Sequence, residues 1–334
     1  MSFLQTVRGE RLERVPIWLM RQAGRYLPEY RELRARHSFL EMVRTPALAA
    51  EATLQPIRRF DFDAAIIFSD IMTPLEALGI DIEFAPGPVI ARPLRSRGQI
   101  AALGAMDAEP APYVGEALRL ARAQLPEHVA LIGFCGAPLT LAAYLVEGGG
   151  SKEFAHFRGL LRSDPRAMHD LLEQLTELSI AYVKMQAQGG AQAIMLFDSW
   201  AGLHDTATYA EFGVPYNARI VEAVNSAGAA SIAFALGASH LLDELKQIPC
   251  DATGVDWRTS LTTARRHLPG RALQGNLDPA VLFADRATIE REAQRVLDDG
   301  SGGPHIFNLG HGIWPETPIE AVSALVQFVH LYRR

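Results

Sequence analysis

The side chains able to do chemistry in this sequence sit in short polar clusters that follow apolar runs. Arg21 and Arg25 flank Gln22-Ala23-Gly24. Two guanidinium groups at that spacing can grip separate carboxylates, each as a bidentate fork. Asp70 follows Ala64-Ala65-Ile66-Ile67-Phe68-Ser69. A carboxylate there can accept hydrogen bonds from ligand N–H groups or stabilise a nearby cation. Equally, Ser69 or Asp70 can cap a turn beginning near Ile71. His311 lies between Gly310 and Gly312, where the imidazole can face a ligand or bond a neighbouring carbonyl. Ser199 stands in Asp198-Ser199-Trp200-Ala201-Gly202 rather than in a GxSxG elbow, so its hydroxyl reads as a hydrogen-bonding or capping group and not as a nucleophile. Tyr144 is four residues from Thr140, on one face of a short helix opened by Pro138. A core tyrosine with a satisfied hydroxyl fits that position too.

Other chemistries lack their spacing. His204, His240 and His311 stand outside any HxH, HxC or HExxH pattern, so no metal site is expected. Gly148-Gly149-Gly150-Ser151-Lys152 lacks the phosphate-loop spacing and reads as a helix stop with a connection. Cys135 and Cys250 form no CxxC and no disulfide framework, which fits a reduced, cytoplasmic chain. Met1–Pro16 has no apolar h-region, and no apolar run reaches the ~18 residues of a membrane span. The net charge is −6, the wrong sign for a general nucleic-acid binder. Residues 1–36 oppose that trend, with eight Arg and four Glu. The chain carries 29 arginines against three lysines, so arginine abundance by itself marks no anion site.

These clusters need a scaffold. Eight apolar runs are expected as strands: Val15–Met20, Ala64–Phe68, Ala130–Phe134, Ala193–Phe197, Ser231–Leu236, Gly254–Trp257, Arg271–Gln274 and His305–Leu309. Helical stretches alternate with them, including Pro46–Arg59, Pro138–Val146, Arg166–Gln188, Ala207–Ser226, Pro279–Asp299 and Pro318–Arg333. Strands apolar throughout belong in a parallel sheet covered on both faces. Eight βα units over 334 residues predict a single (β/α)8 TIM barrel forming one domain, 1–334. The rival open sheet would show a glycine fingerprint after its first strand, where this chain has Arg21-Gln22-Ala23-Gly24-Arg25. Residues 81–97, punctuated by Pro86, Gly87, Pro88 and Pro93, read as a loop or small hairpin inserted in the barrel. The polar clusters all fall at carboxyl ends of strands, where barrels collect their chemistry.

The stretch Pro16-Ile17-Trp18-Leu19-Met20-Arg21-Gln22-Ala23-Gly24-Arg25-Tyr26-Leu27-Pro28-Glu29-Tyr30-Arg31 resembles the N-terminal signature of the uroporphyrinogen decarboxylase family. Gly133-Phe134-Cys135-Gly136-Ala137-Pro138-Leu139-Thr140-Leu141 resembles its second signature, with Cys135 in place of a small residue and Leu139 in place of the usual Trp. Ile67-Phe68-Ser69-Asp70, Phe197-Asp198-Ser199-Trp200-Ala201-Gly202, Gln274-Gly275-Asn276-Leu277-Asp278-Pro279 and Asn308-Leu309-Gly310-His311-Gly312 follow in family order. The resemblance implies a homodimeric (β/α)8 barrel without cofactor. The implied reaction converts the four acetate side chains of uroporphyrinogen III to methyl groups, giving coproporphyrinogen III in heme biosynthesis. It makes Asp70 the central acceptor that stabilises a pyrrole cation. Arg21 and Arg25 become carboxylate holders, with Arg21 the candidate proton donor. Tyr144, Ser199 and His311 become substrate contacts, with Gln22, Ala23 and Gly24 supplying the loop between the arginines. Two other functions fit the same outline: a zinc-dependent corrinoid methyltransferase on a related barrel, and a tetrapyrrole binder without turnover.

Overall fold

The apolar runs become parallel strands buried on both faces. The computed structural model describes residues 1–84, 87–104, 106 and 109–333. Its strands are β1 (Ala64–Ile66), β2 (Ile82–Phe84), β3 (Pro88–Ile90), β4 (Ala130–Gly136), β5 (Ala193–Asp198), β6 (Ala230–Ala235), β7 (Ala252–Gly254), β8 (Ala272–Leu277) and β9 (His305–Leu309). Seven of them form one curled parallel sheet in the order β1-β4-β5-β6-β7-β8-β9. Helices such as Pro46–Phe60, Pro165–Gln188 and Ile319–Leu331 cover it. The register pairs Phe134 with Met195, Met195 with Ile232, and Phe197 with Phe234, so these side chains share one face. Gln274 lies on that face too, because its amide reaches Met195 Sδ at 3.8 Å and its Oε1 accepts Trp18 Nε1–H at 2.9 Å.

The expected insertion is an antiparallel hairpin, Ile82 opposite Ile90 and Phe84 opposite Pro88. Pro86 lies outside the described residues. The hairpin docks on the end of the helix Pro138–Glu147, with Ile90 N–H donating to Gly148 O at 3.0 Å and Leu94 N–H to Leu145 O at 2.9 Å. The Gly148-Gly149 stop that follows this helix thus also receives the hairpin.

Four expectations need correction. The helix expected at Pro279–Asp299 is a short 3-10 turn, Pro279–Phe283, followed by a helix, Arg286–Gly300, which Asp285 caps by accepting Thr288 N–H at 2.8 Å. Val15–Met20 is not a strand of the described sheet; its one bridge joins Ile17 to Phe307. Pro16 has no N–H, and side chains take donors a ladder would use. Ile17 N–H donates to Asp63 Oδ2 at 2.8 Å, Leu19 N–H to Gln22 Oε1 at 3.2 Å, and Met20 N–H to Asn308 Oδ1 at 3.0 Å. The segment still lies between both sheet edges: Pro16 O accepts Phe307 N–H at 2.8 Å, and Ile17 O accepts Asp63 N–H at 2.9 Å. The strand expected at Gly254–Trp257 lies earlier, at Ala252–Gly254, because the Asp256 carboxylate folds the following residues into a turn by accepting Arg258 N–H at 2.8 Å. The helix expected at Ala207–Ser226 breaks into Thr206–Phe212 and Val214–Ser226. At the break, Gly213 leaves room for the Tyr209 ring, which a Cβ would meet at 2.6 Å.

The Asp63 contact yields a stability test. Asp63 is buried, takes Ile17 N–H, and pairs with Arg14 at 3.0 Å. Asp63→Ala leaves the buried Ile17 N–H without a partner, at a cost of about 1–3 kcal/mol. Urea unfolding should show a lower midpoint; an unchanged midpoint would contradict the bracing role.

Candidate active site

Above the shared inner face, the strand-end loops meet edge to edge. The floor is aromatic: Phe134 and Phe197 are edge-on at 5.7 Å between centroids, and Phe197 and Phe234 at 6.0 Å. Phe197 remains partly exposed although it faces inward, so the mouth reaches down to it.

The rim is stitched by glycines and buried acids. Gly312 lies against the Arg21 stem, and any Cβ there would collide with Arg21 Cδ. Two residues back, Gly310 packs on Asp256 and Trp257 with no room for a Cβ. Asp256 Oδ2 accepts Gly237 N–H at 2.5 Å. A Cβ on Gly202 would lie 2.7 Å from Gly237 O, which places the β5 loop against the β6 loop. Asp198 accepts Thr140 Oγ1–H at 2.7 Å, and Thr140 Oγ1 in turn accepts Trp200 N–H at 3.2 Å. A Cβ on Gly136 would meet Ile71, the neighbour of Asp70, at 3.2 Å. Successive contacts therefore lead round the mouth from Arg21 to Asp70.

Asp70 is partly exposed yet surrounded by protein. Burial pushes its carboxyl up; the Met72 N–H and the Arg21 charge pull it back. The capping reading holds. Asp70 Oδ1 accepts Met72 N–H at 2.9 Å in a local turn, and among the described residues its second oxygen accepts no protein hydrogen bond. The buried carboxylates at two other strand ends differ. Asp198 takes Thr140, Tyr209 (3.0 Å) and Asn217 (3.1 Å), while Asp256 takes Gly237 N–H and two donors of Arg258. Those two acids are saturated by the scaffold, whereas Asp70 retains acceptor capacity.

Arg21 has a left-handed backbone, φ 61°. Such a conformation in a non-glycine residue costs on the order of 1–3 kcal/mol and persists only where the surroundings enforce it. Here Met20 is tied to Asn308, and the neighbouring Gln22 is tied through its amide to Ala64 O at 3.1 Å. Gln22 is fully buried, and its phenol neighbour Tyr26 donates to Gln22 O at 2.8 Å. Its side chain therefore positions the loop and does not face the mouth. Ala23 packs partly against the core. Arg25 is exposed, and its charge bears on the buried phenol of Tyr30.

Tyr144, half-buried on its helix, stands edge-on to Trp200 at 5.8 Å between centroids. Burial pushes its phenol up; Asp70 adds to this and Arg21 opposes it, so all three side chains share one electrostatic neighbourhood. Ser199 is partly exposed at the end of β5. His311 is held down at about 4, first by burial and then by repulsion from Arg21 and Arg258, with Asp256 opposing. It is neutral at neutral pH and can both donate and accept. Asp198, Asp256 and Arg258 were not singled out in the sequence, although the two acids occupy strand-end positions. Burial alone pushes the Cys135 thiol far up. Among the described residues, no three His, Cys, Asp or Glu side chains converge as metal ligands.

The chain matches the family model "Uroporphyrinogen decarboxylase (URO-D)" over residues 1–332. It belongs to that family. It is 45% identical over 334 residues to uroporphyrinogen decarboxylase from Geobacter sp. (strain M21), covering 99% of this chain and 98% of that one. It is 48% identical over 338 residues to the one from Nitrosococcus oceani, covering 98% and 95%. Among solved structures, a methyltransferase from Methanosarcina mazei superposes with a TM-score of 0.83 at 20% identity, covering 98% of this chain and 97% of that one. A B12-independent methionine synthase from Shewanella sp. W3-18-1 superposes with 0.59 at 10% identity, covering 97% of each. At such identities the likeness is one of fold.

The His311 environment sets a pH dependence. Between its ordinary value of 6.5 and about 4, the unfolded chain binds the proton and the folded chain does not. Its contribution to stability is therefore full above that window and is lost as pH falls through it. NMR of the imidazole nitrogens should give a midpoint near 4; a midpoint near 6.5 would place His311 outside the charged mouth.

Proposed function

We propose that this rim binds uroporphyrinogen by its carboxylates, and that Asp70 stabilises the positive ring through which carbon dioxide is lost. The chain is a uroporphyrinogen decarboxylase, a carboxy-lyase of heme biosynthesis. The substrate carries carboxylates around a flexible macrocycle and N–H groups at its centre. A proton added to a pyrrole carbon creates a cation. The electron pair of the bond to the acetate carboxylate then flows into the ring, releasing carbon dioxide and leaving an exocyclic methylene. Protonation of that methylene and return of the first proton give a methyl group, with one proton taken up per carbon dioxide.

The unsaturated Asp70 carboxylate carries this reading. It offers acceptor capacity to the ring N–H groups and places negative charge where positive charge develops. Arg21 and Arg25 hold substrate carboxylates, and Gln22, Ala23 and Gly24 form the loop between them. Tyr144, Ser199 and the neutral His311 contact the substrate. Arg21 is our candidate for passing on the proton, through water or shared with Asp70, whose carboxyl burial pushes towards protonation. A guanidinium alone is a poor acid, because its positive charge is delocalised over three nitrogens and the proton is held tightly.

We further propose one domain with eight staves, Val15–Met20 standing as the eighth, and the hydrogen bonds of that segment to both sheet edges support it. The protein works as a cytoplasmic homodimer without a nucleic-acid partner. The resemblance to the family supports the dimer. Two unpaired cysteines, a net charge of −6, and the lack among described residues of any helix long and apolar enough to cross a membrane support the rest.

Anaerobic incubation with uroporphyrinogen should yield coproporphyrinogen; binding without turnover would favour the carrier reading. Asp70→Asn, which keeps shape and removes charge, should lower kcat by about 10²–10³. Near-normal turnover with intact folding would overturn the electrostatic role. Arg25→Lys, which loses the bidentate fork, should raise KM several-fold; an unchanged KM would remove Arg25 from the grip.

A further inference from the structure

Arg258 is a charged group at the mouth with no role in the chemistry above. It follows β7 in the turn made by Asp256. That buried carboxylate accepts Arg258 N–H at 2.8 Å and Arg258 Nη1–H at 2.9 Å, while also holding Gly237 N–H. The guanidinium carbon lies 4.1 Å from the centroid of the Trp257 ring. One edge of the guanidinium is thus fixed by a carboxylate and one face by an indole. The side chain nevertheless stays 49% exposed, and among the described residues Nε and Nη2 donate to no protein acceptor. An arginine braced in this way loses little freedom when it binds, and its remaining N–H groups still form a fork that fits a carboxylate.

Its place on the rim is fixed by packing. Gly310 lies on Asp256 and Trp257, and Gly312 lies on Arg21. His311 stands between those two contacts and is repelled by both guanidinium groups. Arg258 therefore faces the mouth from the other side of His311. A substrate with carboxylates all round its ring presents acids to that side as well. The acetates are consumed in turn, whereas the longer propionate arms persist from substrate to product. An anchor away from Asp70 is most useful on a group that the reaction leaves in place.

We propose that Arg258 is a further substrate-binding residue, gripping a propionate carboxylate of the tetrapyrrole through the N–H groups that Asp256 leaves unused. This rests on the mouth being the uroporphyrinogen site. The test compares wild type, Arg258→Met and Arg258→Lys in anaerobic turnover, with coproporphyrinogen as product inhibitor. Loss of a hydrogen-bonded charged contact should raise KM about tenfold in Arg258→Met. The product inhibition constant should rise by the same factor, with kcat nearly unchanged. Arg258→Lys, which keeps the charge without the fork, should recover part of the loss. A purely structural brace would lower Tm and kcat and leave KM and product inhibition at wild-type values, and that result overturns the proposal. A raised KM with unchanged product inhibition also overturns it, since the carboxylate gripped would then be an acetate. If Arg258→Met lowers Tm, Arg258→Lys decides alone: a wild-type KM in it overturns the proposal, and KM and product inhibition raised together support it. Failure of the wild-type protein to turn over uroporphyrinogen would instead overturn the function on which the proposal rests.

Discussion

A carboxylate surrounded by protein and left short of hydrogen-bond donors is costly, because burial disfavours its charge. Asp70 is in that position, and the mouth is organised around keeping it so. One backbone N–H and one nearby guanidinium lower the cost without saturating the group. A fully bonded Asp70 would sit more comfortably and would have nothing to offer a ring N–H. The incomplete satisfaction is what makes the group useful to a ligand that brings donors of its own.

That arrangement depends on Arg21 being held where its charge reaches Asp70. The left-handed backbone at Arg21, the absence of a side chain at Gly312, the tie from Asn308 to Met20 and the burial of Gln22 all act on this one placement. The saturated acids serve a different purpose. Asp63, Asp198 and Asp256 spend their lone pairs on backbone and side-chain donors from distant parts of the chain. They fix loops, and the loops in turn fix the mouth. Count of satisfied lone pairs, and not residue type, separates these acids from Asp70.

Much of this was readable in the sequence because it depends on local pattern. Continuous apolar runs such as Ala193–Phe197 and His305–Leu309 mark buried parallel strands wherever they occur, and both are strands here. What the pattern could not convey were hydrogen bonds closed over long separations. Val15–Met20 has the apolar content of a strand, but Asp63 and Asn308 take its donors. Gln22, lying between two arginines, gives no local sign that its amide is spent on Ala64 O. Arg258 was hidden by composition, since one arginine among 29 carries no signal until a buried acid and an indole are found holding it. At Asp70 the local pattern leaves capping and binding equally open; one oxygen caps the turn through Met72 N–H, and the other accepts no hydrogen bond among the described residues.

The charge layout also explains why a histidine between two arginines is compatible with a site for a polyanion. A protonated imidazole would add attraction for carboxylates, but it would place a further cation beside a ring that must itself become positive. Burial and the flanking guanidinium groups hold His311 neutral at neutral pH. The positive charge then stays on the guanidinium groups of Arg21 and Arg258 at the rim, where carboxylate arms of the proposed substrate can reach it, and Asp70 keeps an open acceptor oxygen on the same rim. In the proposed mechanism the arginines hold carboxylates while Asp70 favours the cation on the way to decarboxylation.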